Sequence, residues 1–263
     1  MRVILLGTGG SAGVPQIGGA DGRGDWGVCD PDEPRNRRSR ASIVLESAAG
    51  RRLLVDTSPD LRTQLLTCGV PGVDAILFTH AHADHITGLD DVRILNRIAG
   101  RPLEAFATEG TLEELTRRFG YAFRPWEGPG FFRPALLERP VEANDRLDIA
   151  GMGVTLFDQD HGYARTLGLR VGGFGYSTDV VGLDDAAFAA LEGVDTWVVD
   201  CFQRQGPHYT HAHLELALAW AERVGARRTI LTHMGPDMDW AWLKQHLPKG
   251  VEPGYDGMIL DFT

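Results

Sequence analysis

Six consecutive positions hold three imidazoles and one carboxylate: His80-Ala81-His82-Ala83-Asp84-His85. Neutral imidazole and carboxylate are good donors to zinc, manganese or iron, so a cluster this dense reads as a divalent-metal site. The competing reading is a polar loop whose histidines satisfy one another. Four ligand-type side chains in H-x-H-x-D-H order argue against it. Residues 73–78, Val-Asp-Ala-Ile-Leu-Phe, are short and apolar and predict a buried strand just before the cluster. Extended geometry carried past Thr79 would turn His80 and His82 to one face, with Asp84 and His85 in a tight loop after them.

Three later residues sit where the same cluster could use them. His161 follows a predicted strand at 154–157, Asp179 follows one at 173–177, and His233 ends one at 228–232. Each alone is an ordinary polar residue at a strand end. With His80, His82, Asp84 and His85 they suffice for two ions about 3.5–4 Å apart. The expected division places His80, His82 and His161 on one ion, Asp84, His85 and His233 on the other, and Asp179 between them. Asp56, closing the strand 51–56, is the expected partner for the far nitrogen of a ligand imidazole.

The elements that must position these residues alternate between strand and helix. A first strand at 1–6 runs into Gly7-Thr8-Gly9-Gly10-Ser11-Ala12-Gly13, whose spacing does not fit G-x-G-x-x-G; it reads as a flexible turn beside the site. Residues 16–36 form a long Gly/Asp/Pro-rich loop. The basic run Arg37-Arg38-Ser39-Arg40 leads into a hairpin of strands 41–46 and 51–56, and is either a solvated edge or an anion contact. Ser58-Pro59 signals a helix start. Helices are expected at 89–98, 110–119 and 186–191, and after His213, where Leu214, Ala217, Leu218, Ala221 and Val224 share one face. The aromatic- and Pro-rich stretch 121–134 reads as a loop or lid, and 167–171 and 196–200 as further strands.

Size and composition limit the function classes. The 263 residues, 43% hydrophobic and 24% charged, suit one globular domain spanning 1–263. A formal charge of −10 argues against a long nucleic acid as partner. No apolar run approaches the roughly 18 residues of a membrane helix, and no signal peptide precedes the first strand, so a cytoplasmic location is expected. Cys29, Cys68 and Cys201 are too few and too scattered for a disulfide framework.

The cluster His80 to His85, with His161, Asp179 and His233, resembles the ligand set of the metallo-β-lactamase superfamily. Gly7 to Pro15, Pro34 to Arg38, Asp56 to Arg62 and Tyr255 to Met258 resemble the branch holding the phosphoribosyl 1,2-cyclic phosphate phosphodiesterase. The resemblance implies an αβ/βα four-layer sandwich, two zinc or manganese ions, and hydrolysis of a small phosphodiester, cyclic ones included, by hydroxide generated on the ions. It implies catalytic roles for Asp84 and, through the segment Thr210-His211, for His211 beside the leaving group, with His208 and His213 as rivals. The chain departs from that branch in its early loop, where Cys29 stands alone in place of a cysteine-rich zinc site, and at Pro236, where that site would take a His. Hydrolysis of a carboxylic ester, lactone or thioester on the same ions is the alternative; a non-hydrolytic role like that of the pyrroloquinoline-quinone-biosynthesis relative is another. The expected partner is a small anionic phosphodiester, with no membrane and with a homodimer left open.

Overall fold

Two seven-stranded sheets lie face to face in the computed structural model, which describes residues 1–128 and 130–262. The first half of the chain runs β1 (Arg2–Gly7), β2 (Ser42–Glu46), β3 (Arg52–Val55), α1 (Leu61–Thr67), β4 (Ala75–Leu77), α2 (Ala83–Ile86), α3 (Val92–Ala99), β5 (Leu103–Ala107), α4 (Glu109–Phe123) and β6 (Leu136–Pro140). The second runs β7 (Arg146–Ile149), β8 (Met152–Asp160), β9 (Arg165–Val171), β10 (Phe174–Ser177), α5 (Asp185–Leu191), β11 (Thr196–Asp200), α6 (Leu214–Val224), β12 (Arg228–Thr232), α7 (Trp240–His246) and β13 (Val251–Pro253), before β14 (Met258–Asp261) returns to the first sheet. The strand orders are β14-β1-β2-β3-β4-β5-β6 and β13-β12-β11-β10-β9-β8-β7.

Period-two alternation builds four layers from these sheets. Val3 and Leu5 of β1 join the core between the sheets, whereas Ile4 and Leu6 join the core under the helices α1, α3 and α4. In β11, Val198 faces the other sheet while Trp197 and Val199 face α5, α6 and α7. Because both faces of the central strands are covered, they read as continuous apolar runs. Each fully buried Leu, Val or Phe contributes about 1.5–3 kcal/mol. This is the αβ/βα sandwich that the resemblance implies.

Each sheet has the same internal plan. A meander, β1-β2-β3 or β7-β8-β9-β10, leads into parallel strands, β3-β4-β5-β6 or β10-β11-β12-β13. Parallel strands need crossovers, and the helices supply them. The carboxyl ends of the parallel strands in both sheets open toward the cluster His80 to His85.

Several expectations need correcting. The strand before the cluster stops at Leu77, and Asp84 and His85 lie in the short helix α2 rather than in a loop. The Ser58-Pro59 signal is displaced: α1 begins at Leu61, and the Ser58 hydroxyl instead donates to Gln64 Oε1. The described part of the stretch 121–134 is mostly loop, as expected. Its first residues extend α4, and its later part packs beside the end of α3, where Arg97 Nε donates to the Phe131 carbonyl. The strands β5, β6, β7, β13 and β14 and the helix α7 were not anticipated. Among the described residues no helix is long and apolar enough to cross a membrane.

Candidate metal centre

Three strands end in the same local device. Asp56 follows β3 with φ 65°, Asp179 stands two residues after β10 with φ 53°, and His233 follows β12 with φ 56°. A left-handed backbone costs a non-glycine residue on the order of 1 kcal/mol, a strain that concentrates at functional positions. At each of these ends the chain leaves the sheet abruptly and holds one polar side chain at the sheet edge. All three are buried.

The expected ligands converge there in two groups. One ligand atom from each of His80, His82, His161 and Asp179 can be chosen so that all lie within 4.8 Å of one another, and the same is true of Asp84, His85, Asp179 and His233. Asp179 belongs to both groups. Its Oδ1 is 3.3 Å from His233 Nε2 and 3.8 Å from His161 Nε2, and its Oδ2 is 3.1 Å from His85 Nε2.

Asp56 orients two of the rings. Its Oδ2 accepts from His85 Nδ1 at 2.7 Å and from Thr79 Oγ1 at 2.8 Å. Since Thr79 spends its proton on that carboxylate, its oxygen is left to accept from His80 Nδ1, 3.0 Å away. His161 Nδ1 donates to the Thr210 carbonyl at 2.6 Å. In each case an acceptor-only partner or relay fixes the proton on Nδ1 and turns the Nε2 lone pair toward the other ligands, that of His161 lying 3.3 Å from His82 Nδ1. Asp56 thus makes the imidazole contact expected of it. The Thr79 relay carries no motif of its own.

The electrostatics favour a cation at this place. Burial holds His80, His82 and His161 below the ordinary histidine range, which keeps them in the neutral, ligating form. Burial also opposes charge on His85 and His233, but the carboxylates around them outweigh it. Asp179, Asp56 and Asp84 lift His85 well above its ordinary value, and Asp179, Asp84 and Asp200 lift His233 to about 9. Their surroundings are short of positive charge. The Nε2 atoms of His80, His85 and His233 are buried without hydrogen-bond partners. Each such atom costs about 1–3 kcal/mol, so the donor set fits divalent ions that would satisfy these nitrogens.

Beside the second group lies His211. Its Nδ1 donates to Asp200 Oδ2 at 2.8 Å, and its ring stacks on His233 with centroids 4.6 Å apart. Asp200 ends β11 just as Asp56, Asp179 and His233 follow their strands, a positional signal present in the sequence. His208 is near, 5.2 Å from His211 between centroids. His213 occupies the N-cap position of α6, but its side chain makes no capping bond.

A further contact reaches the cluster from outside. Arg118 on α4 donates to the Ala81 carbonyl at 2.8 Å, between two ligand-type histidines, and Tyr121 Oη donates to Asp90 beyond them. The basic run divides: Arg38 is buried and donates to the Met238 carbonyl at 2.7 Å, Arg40 pairs with Asp60, and Arg37 lies over Trp26. Arg38 also approaches Cys29 Sγ at 3.8 Å, tying the 16–36 loop to the turn after His233. The glycine-rich turn is tied as well, with Gly10 N–H donating to the Met234 carbonyl at 3.2 Å.

Known proteins share this fold. The β-lactamase superfamily domain matches residues 51–234. A crystal structure described as a new diphosphatase from the PhnP family superposes with a TM-score of 0.88 at 34% identity, covering 100% of this chain and 98% of that one. An octanoyltransferase of Porphyromonas gingivalis is 31% identical over 98% of this chain, which spans only 51% of that protein. A ribonuclease Z of Mycobacterium sp. (strain KMS) is 28% identical, over 85% of this chain and 90% of its own length. The chain is a hydrolase-fold member of the β-lactamase superfamily and belongs, within it, to the PhnP family.

Proposed function

We propose that the chain hydrolyses a small phosphoric ester or anhydride, either a phosphodiester or the P–O–P link of a diphosphate, with two divalent ions of zinc or manganese. One observation carries the reading: Asp179 is common to two ligand groups, and the His211–Asp200 pair adjoins them. His80, His82 and His161 hold one ion in this reading, Asp84, His85 and His233 the other, and Asp179 both. When bound, the ions supply an activated water and neutralise charge on the phosphoryl oxygens.

The protein's own groups do the rest. Asp56, directly and through Thr79, keeps the His85 and His80 rings turned with Nε2 toward the ions. His211, held by Asp200 at Nδ1, presents Nε2 to the departing oxygen as its proton donor. Water releases one proton to solvent as its oxygen bonds to phosphorus, the bond from phosphorus to the leaving oxygen breaks, that oxygen takes the His211 proton, and His211 is reprotonated from solvent. The products are one phosphomonoester and one alcohol, or two phosphates from a diphosphate. The 34% identity to a diphosphatase and the 28% identity to a ribonuclease Z support phosphorus as the centre attacked.

The test is elemental analysis of protein reconstituted with zinc or manganese, coupled to turnover of a chromogenic aryl phosphodiester, an aryl diphosphate and a carboxylic ester. Two ions per chain with turnover of a phosphorus substrate supports the reading. Turnover of the carboxylic ester alone overturns it.

A further inference from the structure

Hydrogen-bond support for the ligand-type imidazoles is uneven. Nδ1 of His85, His80 and His161 meets Asp56, Thr79 and the Thr210 carbonyl, whereas His233 Nδ1 is buried without a partner among the described residues. No bond behind the His233 ring fixes its direction, so its aim depends on the main chain that carries it. That main chain takes φ 56° at His233 and turns at once into residues 234–239. On one side the turn is held by the glycine-rich segment, Met234 N–H donating to the Thr8 carbonyl at 2.9 Å. On the other side it is held by Arg38. This side chain is only 2% exposed; its Nη2 donates to the Met238 carbonyl at 2.7 Å and to Asn36 Oδ1 at 3.3 Å, and its Nη1 to the Gly235 carbonyl at 3.5 Å. One guanidinium thus grips both ends of the turn 235–238.

The contacts around Arg38 reinforce the same turn. Asn36 Oδ1 also accepts from Trp240 N–H at 2.8 Å, and Cys29 Sγ donates to the Pro236 carbonyl at 3.3 Å. Gly27, at φ 57°, admits that carbonyl where a Cβ would come within 2.5 Å. The acceptors bonded to Arg38 are carbonyl and amide oxygens, with the Cys29 thiol at 3.8 Å, and none is a carboxylate. A guanidinium taken out of water without a carboxylate is costly to hold, and an apolar side chain would fill the same space at less cost. What the guanidinium adds is a planar fork of donors in fixed geometry. We propose that Arg38 is the positioning residue of His233: it clamps the turn 235–238 and through it aims His233 Nε2 at the ion shared with Asp84 and His85. The inference rests on the two-ion reading above. It gives this part of the basic run a use that is neither a solvated edge nor an anion contact.

The experiment measures zinc affinity by chelator competition for Arg38→Met in two backgrounds. With His82→Ala the ion that stays is the one His233 holds, and Arg38→Met should weaken it about 10–100-fold, the usual loss when the group orienting a ligand is removed. With His233→Ala the ion that stays belongs to His80, His82 and His161, and Arg38→Met should change its affinity by less than about twofold, as for independent sites. Arg38→Lys should recover only part of the loss, since one ammonium lacks the fork that spans two carbonyls. Leu112→Ala, in the core under α4, controls for a general loss of stability and should spare both ions. Equal weakening in both backgrounds, the same loss in Leu112→Ala, or no loss beside His82→Ala overturns the inference and leaves the two-ion reading intact. A second readout needs no metal. In metal-free protein, amide hydrogen exchange at Met234, Gly235 and Met238 should be faster in Arg38→Met, with the Asp56 amide, bonded to the Leu77 carbonyl, unchanged. Should the wild-type protein bind no ion, the two-ion reading fails and exchange alone decides: rates at 234–238 unmoved by Arg38→Met overturn the clamp.

Discussion

Asp200 accepts a hydrogen bond from His211 Nδ1 at 2.8 Å through Oδ2, and its Oδ1 is buried without a partner. A buried carboxylate in this position holds one ring orientation of His211. His211→Ala should therefore lower kcat by about 10²–10⁴-fold, the usual yield of general acid catalysis. Metal content should be unchanged. The loss should shrink for substrates with acidic leaving groups, which need no proton. Equal impairment on activated and unactivated esters would refute the role, and His208→Ala and His213→Ala run alongside identify a wrong choice among the three.

Asp179 faces both ligand groups, whereas His82 and His233 each face one. Asp179→Ala should weaken both ions, measured by chelator competition, while His82→Ala and His233→Ala each release one. Equal loss of both ions in all three variants would show a single indivisible site.

Arg118 reaches the Ala81 carbonyl from α4 while paired with Glu114 at 3.0 Å. Removing it frees the peptide between His80 and His82. Arg118→Ala is expected to weaken the ion held by His80, His82 and His161 by about tenfold, a little over 1 kcal/mol, close to one charge-assisted hydrogen bond. The melting temperature should barely move, because the side chain is partly exposed. Arg118→Lys should recover part of the affinity. Unchanged affinity in the alanine variant removes Arg118 from the positioning machinery.

Aryl phosphodiesters should turn over faster than aryl phosphomonoesters. In the proposed two-ion reading, two dications set against Asp84, Asp179 and a hydroxide would leave about one net positive charge. The buried Asp56 and Asp200 lower the local potential further, so a dianionic monoester is the poorer guest. Preferred monoester turnover would identify a phosphatase instead.

Asp256 supplies a pH test away from the ligands. Its carboxylate accepts four hydrogen bonds, from the N–H and hydroxyl groups of Thr8 and Ser39, yet burial lifts its pKa from 3.8 to about 6. A folded-state value raised above the unfolded one means the native state binds the extra proton. The contribution is present below about pH 4 and is lost as pH rises through 6, by an amount on the order of 3 kcal/mol. The stability difference between wild type and Asp256→Asn, from urea unfolding of metal-free protein, should thus fall between pH 4 and pH 7. A difference that grows over that range would mean the four donors dominate and the carboxyl is not raised.

Much of the centre was legible in the chain itself. Six consecutive residues carry four of the ligand-type side chains, so the density of His80 to His85 needs no fold to be noticed. His161, Asp179 and His233 were legible only together: each follows an apolar run, and three ligand-type residues at strand ends beside one dense cluster share a use that none has alone. The central strands were readable because they are apolar on both faces. β7 was not, because it alternates with charged residues at the sheet margin, Arg146-Leu147-Asp148-Ile149, and β14 was not, because it is only four residues long at the opposite margin.

What only the tertiary structure decided is the set of contacts between residues far apart in sequence. Asp56 and His85 are 29 positions apart, Arg118 and Ala81 37, and His161 and Thr210 49. No local propensity or periodicity encodes such pairings, since strand order and helix crossing set them. The division into two ligand groups also depends on folding. It arises because two sheets, each closing with parallel strands, bring their carboxyl ends to one edge, where Asp179 from one sheet meets His80 and His85 beside the other.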